Sequence, residues 1–203
     1  MKDHHLFWQR VAKLYTPLQE KSNQALYNEV SILIKPHLTS SMKVLELACG
    51  TGQFSFPLSP YVKKWVATDY SDHMIQEAKK RNHTAIVFEV ADTTALQYKT
   101  NKFDACLIAN ALHIMPDPKQ ALKEIKRILK PNGLIIAPTF VYDGTINHKR
   151  LWLLEKVGFH TYSKWTFASY QQMLQNAGFQ IIDAQFIQGD LLPEALVIAS
   201  NIK

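Results

Sequence analysis

Three acidic side chains stand where short apolar segments end, and they are the residues best placed to bind a small polar ligand. Glu46 lies in VLELACGTG, Asp69 ends KWVATD, and Asp92 follows AIVFEV. A carboxylate accepts strong, charge-assisted hydrogen bonds from hydroxyl and amino groups. If these segments are parallel strands, their carboxyl ends meet at one rim, where ligands bind in such folds. The pattern predicts a site for a ligand with hydroxyl groups and a positive charge.

The residues after Glu46 form a turn of small side chains that allows close approach to the backbone. Ala48, Gly50 and Gly52 alternate with larger residues, and small residues permit tight turns. The rival pattern is the dinucleotide fingerprint G-x-G-x-x-G. Its first glycine falls on Ala48 and its third on Gln53, and the preceding acid would repel a pyrophosphate. A nicotinamide-dependent oxidoreductase is therefore the less favoured alternative.

Short apolar runs alternate with amphipathic segments from residue 43 onward. That alternation is typical of a mainly parallel sheet with helices on both faces. The first forty residues have helical spacing. Two C-terminal strands follow each other closely and are candidates for antiparallel pairing. The predicted strands are 43–48, 64–69, 85–90, 103–109, 134–140, 179–187 and 194–200, and the predicted helices are 52–62, 71–82, 117–130 and 167–177.

Composition favours one globular domain. The chain has 203 residues, of which 47% are hydrophobic. No apolar run reaches the roughly 18 residues that span a bilayer, and the charged N-terminus MKDHHLFWQR is unlike a secretory signal, so we expect a cytoplasmic protein. The cysteines, Cys49 and Cys106, form no Cys-x-x-Cys pair, and no metal is expected. Much of the net charge of +6 comes from the helix 117–130, which predicts a solvated helix face rather than a nucleic-acid partner.

Five segments, taken in order, resemble the motifs of class I S-adenosylmethionine-dependent methyltransferases, particularly the branch that acts on small molecules. They are ELACGTG, ATDYSDHM, VADTTAL, FDACLIANALHIMPDP and LKPNGLIIAPTF. The resemblance implies a Rossmann-like α/β domain over 1–203. Its mostly parallel sheet would have seven strands, the last antiparallel. A helical lid would cover 1–40, a donor-binding core 41–140, and substrate-side helices with the C-terminal strand pair 141–203.

The resemblance also implies a binding site for S-adenosylmethionine, with S-adenosylhomocysteine as product. In it, Glu46 and Gly50 lie near the methionine part, Asp69 binds the ribose hydroxyls, and Met74 packs on adenine. Asp92 and Thr93 meet the adenine edge, and Asn110 faces the methionine part and the reaction centre. The full predicted set is Tyr15, Glu46, Ala48, Gly50, Thr51, Gly52, Asp69, Tyr70, Met74, Asp92, Thr93 and Asn110.

Structural alternatives stay open for several of these residues. Asp69 competes with Ser71 as the cap of the following helix, Met74 is equally suited to fill a core, and Asp92 alone would more often be a turn residue. Ala48 stands where the family usually has glycine, which a methyl group tolerates if φ is negative.

Catalysis by such a protein rests mainly on alignment, because the sulfonium methyl group is already reactive. A base is needed only where the acceptor must lose a proton. His113 and Tyr15 are the first candidates, with structural roles as equal alternatives. Further candidates for the acceptor side are Tyr142, Asp143, His148, Phe7, Trp8 and Trp165.

The acceptor can be narrowed by motifs that the sequence lacks. Enzymes that methylate exocyclic amines of bases carry Asn/Asp-Pro-Pro-aromatic after the fourth strand, where this chain has ANAL (109–112). The Pro-Cys nucleophile of cytosine-C5 enzymes is also missing. A small-molecule acceptor and a monomer or homodimer are therefore predicted. The alternative is a non-catalytic protein that binds the nucleotide.

Overall fold

A seven-stranded mixed sheet organises the protein. The computed structural model describes residues 24–81, 85–146, 151, 152, 156, 161–189 and 192–203. The strand order is β3-β2-β1-β4-β5-β7-β6. Strands β1 to β5 are parallel, and β7 is antiparallel to both β5 and β6. The strands are β1 (Lys43–Leu47), β2 (Lys64–Asp69), β3 (Ile86–Val90), β4 (Phe103–Ile108), β5 (Leu129–Phe140), β6 (Phe179–Ile187) and β7 (Glu194–Asn201).

Helices cover both faces of this sheet, as the alternating pattern predicts. They are α1 (24–34), α2 (Ser55–Leu58), α3 (Asp72–Lys79), α4 (Pro118–Ile128) and α5 (Phe167–Asn176). Leu45 and Leu47 of β1 share a buried cluster with residues of α4 and α5. Val44 points to the other face, where the cluster includes residues of α1, α2 and α3. Apolar strands buried on both sides are expected of a parallel sheet.

Side-chain caps fix where the longer helices begin. Ser71 is the N-cap of α3 and accepts the Met74 amide at 3.3 Å, so the alternative in which Asp69 caps this helix is wrong. Asp117 caps α4 in the same way, directly before Pro118. Such caps satisfy amides that have no partner inside the helix.

Two predicted boundaries are wrong. The predicted helix 52–62 is reduced to α2 and a 3₁₀ turn at Ser59–Tyr61, because Pro57 and Pro60 cannot donate backbone hydrogen bonds. Strand β5 begins at Leu129 rather than 134. The backbone becomes extended at Leu129, with φ −71° and ψ 140°, and α4 therefore ends before the Pro-Asn-Gly sequence.

The predicted N-terminal helical region is described only from residue 24. Val30 and Ile34 of α1 are buried with Phe54 and Leu58 on one face of the sheet. Phe7, Trp8, Tyr15 and also His148 lie outside the described residues. Within the described ranges, no helix is both long and apolar enough to cross a membrane.

The basic residues of α4 and its end are only partly a solvated face. Lys119 and Lys123 are exposed. Lys126 donates to the Gly178 carbonyl at 2.8 Å, Arg127 pairs with Glu124, and Lys130 pairs with Asp104 at 2.6 Å. Much of the charge that raised the question of an anionic partner is thus used within the protein.

Candidate active site

The loop after β1 makes a tight turn at the rim formed by the carboxyl ends of the parallel strands. The Gly52 amide donates to the Cys49 carbonyl at 2.9 Å. Ala48, Gly50 and Gly52 have φ values of 53°, 54° and 91°. The expectation of a negative φ at Ala48 is therefore wrong, because the turn requires a left-handed conformation directly after the strand. That conformation is costly for a residue with a side chain.

Asp69 joins this loop to the end of β2. Its Oδ2 accepts the Gly50 amide at 2.9 Å, and its Oδ1 accepts the Ser71 amide at 2.8 Å. A carboxylate has about four acceptor positions, so accepting two amides does not by itself saturate it. The structure thus brings together the predicted glycine loop and the predicted ribose-binding acid.

Gly52 and Thr51 are held closely on the other side of the turn. A Cβ atom at Gly52 would lie 2.5 Å from Cε2 of Phe56, so only glycine fits without movement there. Thr51 is buried, and its hydroxyl accepts the Gln53 side-chain amide at 2.7 Å. The requirement for glycine at this position comes from packing as well as from φ.

Glu46 is buried and holds α2 against the sheet. Its Oε2 accepts the Ser55 hydroxyl and the Trp65 indole N–H, the latter at 2.8 Å. Burial raises the pKa of this carboxyl to about 7, against the effect of those two hydrogen bonds. The donors lie on α2 and at the start of β2, so this acid has structural partners that its place in the motif does not reveal.

The segment after β3 lies beside Asp69, since the Ala91 amide donates to the Asp69 carbonyl at 3.0 Å. Asp92 is exposed and closes a local turn by accepting the Thr94 amide at 2.8 Å. Thr93 and Met74 are buried, whereas Tyr70 is exposed. These four residues belong to the segments that follow the neighbouring strands β2 and β3, but the three predicted acids have separate hydrogen-bond partners.

Asn110 lies on the other side of the glycine loop, directly after β4. It has a φ of 51°, and its amide donates to the Pro138 carbonyl at 2.8 Å. Its side-chain Nδ2 donates to Oε1 of Glu194 at 3.3 Å. Glu194 is fully buried and opens β7 opposite Phe140.

The sequence analysis missed Glu194. One signal was available, because EALVIAS begins with an acid and is otherwise almost entirely apolar. The first residue of an antiparallel strand lies at the same rim as the last residues of the parallel strands. An acid in that position was therefore a candidate site residue once the predicted C-terminal pairing was combined with the rim.

His113 is buried just beyond this pair. Its Nδ1 lies 2.9 Å from the Thr139 hydroxyl, and its ring packs edge-on against Phe140. Burial lowers the pKa of its imidazole to about 4, so it is neutral and weakly basic near pH 7. The backbone carbonyl of His113 also accepts the Tyr162 and Ser163 amides.

Three further acceptor-side candidates hold the start of α5. The Tyr142 amide donates to the Trp165 carbonyl at 2.8 Å, and Asp143 accepts the Phe167 amide. The Trp165 ring packs against Tyr170, with centroids 5.4 Å apart. These contacts give each of the three a structural role next to β5.

A cleft of about 360 Å³ lies between α1 and the residues that follow the glycine loop. Its lining includes Tyr27, Gln53 and Arg81, but not Asp69, Asn110 or Glu194. We therefore place the candidate site at the rim rather than in this cleft.

The fold and the rim together define a class of protein. The sheet is doubly wound, with a reversal of strand order between β1 and β4, and ligands of such folds bind at that reversal. A glycine loop after β1 and an acid after β2 suit a ligand with vicinal hydroxyl groups. This is the arrangement of a Rossmann-like nucleotide-binding protein.

Comparisons with known proteins narrow the class. A family profile described as a methyltransferase domain matches residues 45–137. A demethylmenaquinone methyltransferase of Lactiplantibacillus plantarum is 30% identical over 180 residues, which cover 73% of this chain and 75% of that protein. An uncharacterized chloroplastic methyltransferase of Arabidopsis thaliana is 33% identical over 121 residues, 55% of this chain but only 34% of that protein.

A solved structure gives the same fold. A S-adenosylmethionine-dependent methyltransferase of Thermotoga maritima superposes with a TM-score of 0.76 at 20% identity, covering 96% of this chain and 98% of that one. The chain belongs to the class I S-adenosylmethionine-dependent methyltransferases.

Proposed function

We propose that this protein transfers a methyl group from S-adenosylmethionine to a small-molecule acceptor. The observation that carries the proposal is the Asp69 carboxylate, which accepts the Gly50 amide at 2.9 Å. That contact fixes an acid against the loop that follows β1, at the reversal of strand order.

The residues at the rim fit the adenosyl donor. Asp69 offers acceptors for the ribose hydroxyls, and Met74 and Thr93, which are buried in the segments after β2 and β3, are the candidates for contact with the base. The glycine loop is joined to Asp69 through the Gly50 amide. When bound, the donor supplies a methyl group on a positively charged sulfur. The protein's contribution is to hold and orient the reactants and to exclude water, which can lower a barrier by roughly 7–11 kcal/mol.

For the acceptor, we infer an aromatic ring that carries hydroxyl groups, of the quinol type. The inference is supported by the name of the Lactiplantibacillus plantarum relative, a demethylmenaquinone methyltransferase. It also agrees with the missing base-methylation motif at 109–112. The cytoplasmic location and the monomeric or homodimeric state stay predictions.

Donor binding is tested by calorimetry with S-adenosylhomocysteine. We expect the wild-type protein to bind it, and Asp69→Ala to bind it roughly 10- to 150-fold more weakly, since a hydrogen bond to a charged group contributes about 1.5–3 kcal/mol. Asp72→Ala is the matched control, because it removes an exposed acid from the neighbouring helical turn. It should leave the affinity within about twofold of wild type.

Transfer is tested with donor labelled in the methyl group and a panel of hydroxylated aromatic compounds. Label should move to the acceptor as S-adenosylhomocysteine forms. Binding of NADH in place of S-adenosylhomocysteine would overturn the proposal. Tight donor binding without transfer to any acceptor in the panel would favour the non-catalytic alternative.

A further inference from the structure

Two neighbouring side chains at the rim each keep one buried oxygen atom without a partner among the described residues. These atoms are Oδ1 of Asn110 and Oε2 of Glu194. The other ends of the same two side chains are joined, since Nδ2 of Asn110 donates to Oε1 of Glu194 at 3.3 Å. Buried polar atoms normally have partners, so a pair of open acceptors points to a ligand that donates hydrogen bonds.

The position of the pair in the sheet separates it from the donor-binding residues. Asp69 ends β2 and Glu194 begins β7, four strand positions away in the order β2-β1-β4-β5-β7. At a spacing of about 4.8 Å, that is a separation of about 19 Å along the rim. Asn110, after β4, lies between them. Glu194 therefore lies on the side of Asn110 that faces away from Asp69.

The open oxygens of Asn110 and Glu194 require a ligand group that donates a hydrogen bond. Both open atoms accept hydrogen bonds when the Glu194 carboxyl is ionised. The ammonium group of the donor's methionine part can donate to Asn110, which the family resemblance places beside it, but the sulfonium has no hydrogen to donate. A hydroxyl group on the acceptor has one, and the acceptor must lose that proton if its oxygen or an adjacent ring carbon is to attack a methyl group. A carboxylate beside the hydroxyl can take it.

We propose that Glu194 is a catalytic residue whose Oε2 takes the proton of the acceptor's hydroxyl during methyl transfer, with Asn110 holding that hydroxyl; this rests on the proposed function. The acceptor's O–H bond breaks and its proton passes to Glu194. The electron pair left on the acceptor forms the new bond to the methyl carbon. The carbon–sulfur bond breaks with its electron pair on sulfur, so one carboxylate and one sulfonium become a neutral acid and a neutral thioether.

The surroundings of Glu194 suit this task. It is fully buried between Phe140 and Ile187, which carry no charge and lie opposite it on β5 and β6. Two further residues interact with it. Asn110 is neutral, and the phenol pKa of Tyr170 is raised by burial and, to a smaller extent, by the charge of Glu194. Burial raises the pKa of the Glu194 carboxyl to about 8. A base must be deprotonated, so the rate should rise with pH and level off above about 8.

The first test is the rate of single-turnover methyl transfer to 1,4-dihydroxynaphthalene under anaerobic conditions, measured from about pH 6 to about pH 9. We expect Glu194→Gln, which keeps the shape and an acceptor oxygen, to lower the rate by about 100- to 10,000-fold and to remove the rise with pH. Glu194→Asp should keep the rise at a lower rate. A merely structural acid would not separate these two variants in this way.

The second test does not depend on turnover. Difference infrared spectroscopy of the S-adenosylhomocysteine complex should show a protonated carboxyl band that titrates near pH 8 in the wild type and is missing in Glu194→Gln. Addition of 1,4-dihydroxynaphthalene should shift that band. Glu89→Gln, which changes an exposed acid on β3, is the control and should leave both the band and the rate unchanged.

Different results would contradict the role proposed for Glu194 and the proposed binding of S-adenosylmethionine. Loss of S-adenosylhomocysteine affinity by about tenfold or more in Glu194→Gln would place Glu194 in the donor site and overturn the inference. So would a rate within about threefold of wild type at every pH, or a wild-type protein that binds the donor product but neither binds nor methylates the dihydroxynaphthalene. A wild type that binds no donor product would instead overturn the proposed function.

Discussion

The two halves of the rim hold their acids in different ways. On the side of β1 to β3, Glu46, Asp69 and Asp92 all accept hydrogen bonds from nearby protein groups. On the side of β4 to β7, Glu194 is more deeply enclosed than Asp69, yet one of its oxygens has no partner among the described residues. In the first half, each acid accepts hydrogen bonds from the protein. In the second half, one buried oxygen of Glu194 accepts none from the described residues, and we propose a ligand as its partner.

We propose that the first half binds the methyl donor, which is the same throughout the family, and that the second half binds the acceptor, which differs between members. The donor half uses backbone turns and short-range contacts that belong to the family's shared motifs. The acceptor half uses an acid from a strand late in the chain, brought to the rim by antiparallel pairing with β5. The comparison leads to the following predictions on stability and catalysis.

Among the acids near β1 to β3, the largest expected effect on stability concerns Glu46. The pKa of its carboxyl is about 7 in the folded protein, against an ordinary value of 4.5, so the folded state binds the proton more tightly. Stability should therefore fall as pH rises through that interval, by up to about 3 kcal/mol. Glu46→Gln should remove the part of the fall that ends near pH 7 and keep the part that ends near pH 8, which belongs to Glu194, as measured by urea unfolding at several pH values.

Two controls sharpen that prediction. Glu89→Gln changes an exposed acid and should keep the wild-type pH dependence of unfolding. Glu46→Gln should also leave the pH at which methyl transfer levels off unchanged, because the catalytic titration is assigned to Glu194. An unfolding free energy with the same pH dependence in Glu46→Gln and wild type would mean that the Glu46 carboxyl is already ionised in the fold, and the contrast between the halves would fail.

A smaller effect is expected at His113 and Thr139. The hydrogen bond between them is buried, with 2.9 Å from Nδ1 to the hydroxyl, and its loss should cost about 1–3 kcal/mol of unfolding free energy in His113→Asn or Thr139→Val. Because both variants break the same contact, the double variant should cost less than the sum of the two. Thermal and urea unfolding measure this.

The same variants test whether His113 is the base. We expect the pH dependence of methyl transfer to keep its wild-type midpoint in His113→Asn, since burial holds the histidine pKa at about 4. Disappearance of the rise in rate with pH in this variant, with Glu194 intact, would return the base role to His113 and contradict the assignment to the acid.

The smallest predicted effect is at Ala48, whose φ of 53° is left-handed. Glycine there should remove a penalty of about 1–2 kcal/mol, offset by its larger loss of chain entropy on folding, about 0.5–1 kcal/mol. Ala48→Gly should thus raise the unfolding free energy by up to about 1.5 kcal/mol. Ala95→Gly, at an exposed position, should lower it. Equal losses in both variants would show that the left-handed residue carries no strain.

Much of the fold was predictable because its signals are local. The alternation of apolar and amphipathic segments located the strands and the longer helices, and the family resemblance implied a mostly parallel sheet of seven strands with the last one antiparallel. The errors fall at prolines and at a helix end: Pro57 and Pro60 shorten α2, and β5 begins five residues early. Each of these boundaries depends on which backbone groups find partners in the folded chain, which spacing alone does not reveal.

The sequence predicted the site residues that belong to a recognisable motif, some of which also contact each other in the structure. Asp69 and Gly50 belong to recognisable motifs, and the structure joins them by a hydrogen bond. Glu46 looked like a ligand-binding acid from its motif, but its partners Ser55 and Trp65 come from separate elements. Glu194 was overlooked because its neighbour Asn110 lies 84 residues earlier, and only the C-terminal strand pairing brings the two together.

A crystal structure of the protein with S-adenosylhomocysteine tests the central claim most directly. We predict ribose hydroxyls within hydrogen-bonding distance of the Asp69 carboxylate, with the sulfur on the side of Asn110. Density for the nucleoside in the cleft lined by Tyr27, Gln53 and Arg81, with Asp69 contacting no part of it, would contradict the account.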